Sequence, residues 1–99
     1  MNELDDLKSL LNNEALKSSL RILIIISLAI NDKLYFTDLL NLTGAGKGSL
    51  SNHLDILKKY GYIKDKMVFT VSGPRRMVYI TDNGKRFYEI YIKLISKLK

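Results

Sequence analysis

A chain of 99 residues is long enough to bury a core without staples, and its lack of cysteine excludes disulfides and thiolate metal centres, which fits a cytoplasmic protein. The net charge of +6 is unevenly spread: residues 1–42 hold four Lys/Arg against six Asp/Glu, residues 43–80 seven against two, and residues 81–99 five against two. Cations gathered in this way favour a polyanionic partner, while Glu3, Asp5 and Asp6 exclude the basic start of a secretion signal.

Leu4, Leu7, Leu10 and Leu11 recur at three- and four-residue spacing, predicting an amphipathic helix over 3–12 that Asn12-Asn13 interrupts. A longer helix is predicted from Glu14 to about Ile30, with Leu16, Leu20, Leu23 and Leu28 among its apolar residues. Its second half is apolar on nearly every side, so burial all round is expected. The β-branched Ile22, Ile24, Ile25 and Ile26 would suit a strand, but length and the EALKSSLR lead-in decide for helix. The run is about half the length a membrane span needs, so it reads as a core element and not as a membrane partner. Asn31-Asp32-Lys33 reads as a turn and Leu34-Tyr35-Phe36 as a short strand.

Thr37 is placed to cap a helix over about 38–43 that ends at Gly44, with Asp38 favourable in the first turn. A second helix is predicted from Lys47 to Tyr60, stopping at Gly61 as a left-handed cap. On it Leu50, Leu54 and Leu57 point inward, while Asn52, Asp55 and Lys59 lie on the outer face. Two short helices, a glycine-broken turn and a polar outer face form the layout of a helix-turn-helix over about 37–60, fit for a DNA major groove. A hairpin over about 63–80 follows, with strands Met67–Val71 and Met77–Ile80 and Ser72-Gly73-Pro74-Arg75-Arg76 at its tip. The expected fold is therefore α+β, mainly α: a winged helix-turn-helix occupying 1–99 as a single domain.

Thr81 or Asp82 caps a last helix over about 82–98. Phe87, Tyr91, Leu94 and Leu98 form one seam on it, widened by Tyr88, Ile92 and Ile95. That width predicts a homodimer joined through the terminal helices, with Leu4, Leu7 and Leu11 of the first helix contributing. The alternative is that residues 3–12 cover the seam within one chain.

The candidate DNA contacts are Lys47, Gly48, Ser49, Ser51 and Asn52 at the start of the second helix, with Thr37, His53 and Lys59 around them and Lys66, Arg75 and Arg76 from the wing. Asn52 can read adenine bidentately, while Lys47 and the serine hydroxyls serve phosphate or guanine. Guanidinium groups held out at a hairpin tip can enter a minor groove or clamp phosphate. Asp55 opposes phosphate, and is expected to accept from a cytosine amino group or to pair with Lys58 or Lys59.

Gly44-Ala45-Gly46-Lys47-Gly48-Ser49 is not a nucleotide loop, because Gly48 follows Lys47, position 41 is Asn41, and no βαβ unit surrounds it. The glycines instead sharpen the turn and let a helix N-terminus approach phosphate. His53, the only histidine, has neither a metal-ligand companion nor a nucleophile to serve, and reads as a phosphate contact or a locally bonded helix residue. No cofactor, metal or enzymatic activity is expected, and no residue set supports a small-molecule effector. The tyrosines read as core and interface. Ile56, expected on the outer helix face, hints at a second reading: a protein-interaction module whose DNA binding is incidental.

Leu50-Ser51-Asn52-His53-Leu54-Asp55-Ile56-Leu57 with Tyr60-Gly61-Tyr62-Ile63 resembles the core motif of small winged-helix transcriptional regulators of the MarR/ArsR-like group of archaea and bacteria. Tyr79-Ile80-Thr81-Asp82-Asn83-Gly84-Lys85 resembles their entry into the final helix. The resemblance covers roughly residues 14–95 and implies a dimeric winged helix, more often a repressor, bound to a roughly palindromic operator on double-stranded DNA. It does not extend to ArsR metal sensing, which needs cysteines. The chain is also shorter than typical MarR proteins, so any effector is expected at the dimer interface.

Overall fold

The computed structural model describes residues 3–97 as five α-helices, a 3₁₀ turn and three strands. In chain order these are α1 (Glu3–Leu11), the 3₁₀ turn (Glu14–Leu16), α2 (Ser19–Asn31), β1 (Lys33–Tyr35), α3 (Phe36–Thr43), α4 (Lys47–Lys59), β2 (Ile63–Thr70), β3 (Gly73–Ile80) and α5 (Asp82–Ser96). The sheet is antiparallel in the order β1-β3-β2. The expected winged-helix architecture is what the chain adopts.

The core joins every layer. Ile24, Ile25 and Leu28 of α2, Leu39 of α3, Leu50, Leu54 and Leu57 of α4, Val78 of β3 and Phe87 of α5 are almost wholly withdrawn from solvent. Burying each such side chain is worth about 1.5–3 kcal/mol, so α4 is fixed through its inner face while its outer face stays free.

The predicted helix from Glu14 to Ile30 is in fact two pieces. Asn13 Oδ1 accepts from the Ala15 N–H at 2.9 Å and starts the 3₁₀ turn, and Ser18 Oγ accepts from the Arg21 N–H at 3.3 Å and starts α2. A serine hydroxyl competes with the helical ladder and prefers the cap, which a helix-favouring lead-in conceals. Burial all round is also corrected, since Leu23 and Ile30 are exposed and Ile26 is half-buried, one stripe at helical spacing. Thr37 does not cap α3. The helix begins two residues earlier, at Phe36, and the Asp38 carboxylate accepts from the Tyr35 N–H at 2.8 Å, leaving Thr37 exposed in the first turn.

The hairpin spans the expected residues, but its strands are longer than predicted and its turn lies elsewhere. Thr70 pairs with Gly73, so Val71 and Ser72 alone make the turn, and Pro74, Arg75 and Arg76 belong to β3. Thr70 shapes the bend, its hydroxyl donating to the Gly73 carbonyl at 2.9 Å and accepting from the Ser72 N–H at 3.2 Å. Gly73, at φ 108°, takes a conformation that side chains disfavour. Pro74 is tolerated because β1 pairs only with residues 77–79 of β3, leaving the strand's far end without a second neighbour.

Thr81 is the cap of α5. Its hydroxyl accepts from the Gly84 N–H at 3.2 Å and donates to the Gly61 carbonyl at 2.6 Å, tying the start of α5 to the end of α4. Gly84 is a packing requirement, because a Cβ there would lie 2.5 Å from the Tyr62 carbonyl and 2.6 Å from an Ile80 side-chain carbon.

The expected dimer seam divides. α1 packs against α5 within the chain. Phe87, 1 % exposed, lies edge-on to Tyr62 and stacks on Tyr91 with ring centroids 5.5 Å apart, so it belongs to the core and not to an outer seam. Leu94 is buried too, while Leu7, Leu11, Tyr88 and Tyr91 are half-buried. Leu4, Ile92 and Ile95 remain exposed, and Leu98 lies outside the described residues. No helix among the described residues is long and apolar enough to cross a membrane.

Candidate nucleic-acid interface

The turn before α4 is built to present a bare helix start. Gly44 closes α3 at φ 68°, its N–H donating to the Leu40 carbonyl at 2.9 Å. Thr43 Oγ1 donates to the Leu39 carbonyl at 2.7 Å and accepts from the Ala45 N–H at 3.2 Å, which fixes the bend. Gly46 is the N-cap of α4 and offers no side chain to the first-turn N–H groups. Neither Gly46 nor Gly48 has a positive φ, and a Cβ on either would meet open space. Nothing among the described residues demands glycine there, and their bareness leaves the donors of the α4 N-terminus uncovered.

Lys47, Gly48, Ser49, Asn52, Asp55 and Lys59 are exposed along α4. At the other end, the Gly61 N–H bonds the Lys58 carbonyl and the Tyr62 N–H bonds the Leu57 carbonyl, both at 3.0 Å, with Gly61 at φ 81°. This pair of bonds is a Schellman motif that stops α4 cleanly. Ile56 is half-buried against the core, not on the outer face, so it no longer favours a protein partner. Lys58 pairs with Asp65 at 2.9 Å rather than with Asp55.

Ser51 and His53 face neighbours inside the molecule as well as solvent. Ser51 Oγ accepts a long bond from Arg76, 3.4 Å. His53 Nδ1 lies 2.9 Å from a terminal nitrogen of Arg21, a cation only 7 % exposed. Arg21 also donates to the carbonyls of Ala15 at 2.8 Å and Glu14 at 3.0 Å, so it clamps the 3₁₀ turn to α4. A guanidinium only donates. Nδ1 must therefore accept, and the imidazole is neutral with its proton on Nε2. Burial, then the Arg21 charge, holds the His53 pKa below its usual value. Of the two readings of His53, local bonding is present, and any phosphate contact falls to Nε2–H. The one signal for Arg21 in the sequence is a lone cation opening an apolar run.

The wing differs most from expectation. Arg76 is half-buried on β3, not at the tip, and its guanidinium meets Asp65 at 2.6 and 2.7 Å and lies 5.2 Å from the Phe36 ring centroid. Burial opposes ionisation of Asp65, but hydrogen bonds and charge from Lys58 and Arg76 outweigh it, so the carboxyl sits below its usual pKa. Arg76 thus braces β2, β3 and α4 together and shares the Asp65 carboxylate with Lys58. Arg75 is also half-buried on β3, one of its terminal nitrogens donating to the Pro74 carbonyl at 3.0 Å. Lys66 is exposed and lies 5.2 Å from the Tyr79 ring centroid, and Lys64 is exposed nearby. Toward the tip stand apolar side chains: Met67, level with Arg76, then Phe69 and Val71 are all exposed.

The surface so assembled combines an uncovered helix N-terminus, a row of exposed polar side chains on α4 and cations on the adjoining hairpin. It has no acid–base pair or nucleophile arrangement, and no three metal-ligating side chains cluster among the described residues. A family model described as "Winged helix DNA-binding domain" matches residues 20–98. A search of curated proteins gave no match. Among solved structures, a transcriptional regulator homologue from Pyrococcus horikoshii OT3 superposes with a TM-score of 0.76 at 27 % identity, covering 96 % of this chain and 98 % of that one. NadR, solved in complex with 4-hydroxyphenylacetate, gives 0.73 at 26 %, covering 97 % of this chain and 67 % of its own. A MarR-family protein from Porphyromonas gingivalis W83 gives 0.70 at 20 %, covering 97 % and 91 %, which is likeness of fold alone.

Proposed function

Given that this chain belongs to the winged-helix DNA-binding family, we propose that it is a cytoplasmic, sequence-specific transcriptional regulator, a dimeric repressor of a palindromic operator. The observation that carries the reading is α4: its inner face is locked by Leu50, Leu54 and Leu57, while Lys47, Ser49 and Asn52 stand exposed beside an uncapped N-terminus. A helix held in this way reads base edges, because its outer side chains keep their positions relative to the groove.

Asn52 reads adenine, and Lys47, Gly48, Ser49 and Ser51 serve bases or phosphate at the helix start. Thr37 and Lys59 flank them, and the His53 Nε2–H donates to phosphate. Lys66 and Arg75 hold the backbone beside the wing, while Arg76 acts chiefly by bracing the hairpin against α4. Residues 1–99 act as one unit, and two copies joined through the exposed apolar residues of α2 and α5 would set their reading helices about 34 Å apart.

A second reading, a protein-interaction module, is favoured by one observation, the apolar side chains exposed on the wing. Binding of the purified chain to duplex from upstream of its own gene, against scrambled duplex across a salt titration, separates the two. A specific regulator gives a preference of about a thousandfold or more and a steep salt slope. Weak, equal and shallow binding gives the interaction module instead.

A further inference from the structure

Side chains alternate between the two faces of a hairpin, and directly opposed residues share a face. Asp65, Met67 and Phe69 of β2 therefore share a face with Val78, Arg76 and Pro74 of β3, their cross-strand partners. Contacts to the helices identify that face: Asp65 meets Lys58 of α4, and Arg76 meets Ser51 of α4 and lies over Phe36 of α3. From the level of Arg76 outward the same face turns apolar, with Met67 opposite Arg76 and then Phe69 and Pro74. Lys64, Lys66 and Arg75 lie on the opposite face.

The apolar end is well exposed. Phe69 is 86 % accessible and Val71, in the turn, is fully so. Phe69 lies two residues beyond Arg76 in the ladder, roughly 7 Å further along the hairpin, continuous with the flank of α4. Exposed apolar clusters of this kind mark contact sites. The choice of occupant follows from charge. The hairpin carries Lys64, Lys66, Arg75 and Arg76 against the single carboxylate of Asp65. Hairpins of two copies placed tip to tip would bring like charges together. A DNA minor groove offers the complement, phosphate walls for the cations and stacked base steps that an apolar side chain can part.

We propose that the wing is an apolar wedge for the DNA minor groove: Phe69, led by Val71 and backed by Met67 and Pro74, enters a base step while Lys64, Lys66 and Arg75 hold the adjoining phosphates. The wedge rests on the DNA-binding reading above and adds a specificity element to it. Insertion kinks the duplex by about 20–90°. Pyrimidine–purine steps unstack most easily, so the wing selects such a step at a fixed offset from the bases read by α4.

The test uses the full chain and the tightest duplex that selection from a randomised pool yields for it, with fluorophores at both ends to report bending. Because Phe69 is exposed, Phe69→Ser leaves the core intact. Phe69→Ser should lose about tenfold or more in affinity, the scale of one aromatic–base stack, and straighten the duplex. Its salt slope should stay unchanged, since no phosphate contact is removed. Phe69→Trp should restore both affinity and bend. Arg75→Ala should instead flatten the salt slope. Unaltered affinity and bend in Phe69→Ser, with the wild type still binding, would overturn the wedge and leave the regulator reading standing. A wild-type chain that enriches no duplex from the pool would overturn both. If Phe69→Ser abolished self-association in sedimentation while DNA affinity held, the occupant would be a second copy and not a groove.

Discussion

The two nitrogens of His53 have different neighbours: Nδ1 meets Arg21, and Nε2 carries the proton. Protonating the ring would set two cations 2.9 Å apart, so the folded protein resists it and the folded pKa lies below the 6.5 of an ordinary histidine. Between those two values the unfolded chain binds more protons than the folded one. Stability should therefore be complete above about pH 6.5 and fall as the pH drops through that window. Urea midpoints across the range test this, with His53→Gln expected to remove the fall, because its amide oxygen still accepts from Arg21. A fall of equal size in the variant would assign it to other groups. Asp65 acts in a separate window, its contribution being present above its ordinary pKa of 3.8 and lost as the pH falls through its lower folded value. On the outer face of α4, Asn52→Ala should cost about 1–3 kcal/mol on the operator and relax base preference. An equal loss on operator and scrambled duplex would show that Asn52 contacts only the backbone. The faces of α4 were legible from leucine spacing except at Ile56, expected outside and found half-buried against the core. Arg21 and Asp65 were not legible, because no local pattern announces that Arg21 will bond His53 on another helix, or that Lys58 and Arg76 will meet on Asp65.

Among the elements, α5 depends on a junction rather than on its own propensity. Gly84 packs directly on the Tyr62 carbonyl and Ile80, so Gly84→Ala should destabilise by about 1–3 kcal/mol through overpacking. Urea denaturation would read this as a lower midpoint at unchanged slope, and an unchanged midpoint would mean that the junction yields easily. The ends of helices were readable where glycine dictates the conformation, as at Gly44 and Gly61. They were misread where a side chain decides, as with Ser18 for α2 and Asp38 for α3. The wing turn was misplaced for a related reason. The Gly-Pro pair suggests a bend, but the bend is made by the Thr70 hydroxyl, and the glycine and proline follow it.

For the whole molecule, exposed apolar surface on α2 and α5 is what a second subunit would cover. Leu23 and Ile30 on α2 and Ile92 and Ile95 on α5 are exposed, and these two helices pack against each other. Ile92→Asp with Ile95→Asp should turn a dimer into a monomer in sedimentation equilibrium and weaken operator binding, with helical content retained. A wild-type chain that sediments as a monomer would refute the proposed dimer outright. The sequence pattern alone overstated this seam, because helical spacing cannot tell which apolar residues the same chain already covers, and Phe87 and Leu94 are covered. The proline of the wing has an effect at this scale too. The Ile80 N–H points to the β1 side, where it bonds the Asp32 carbonyl at 3.2 Å, and alternate residues along β3 point the same way. Position 74 would therefore aim its donor at the strand edge that β1 leaves open, and proline has no donor to aim. A stray strand laid along that edge finds a gap in its ladder beside Phe69, where adhesion would otherwise be strongest. Pro74 thus removes one rung from the open edge beside the exposed Phe69, which disfavours strand addition there.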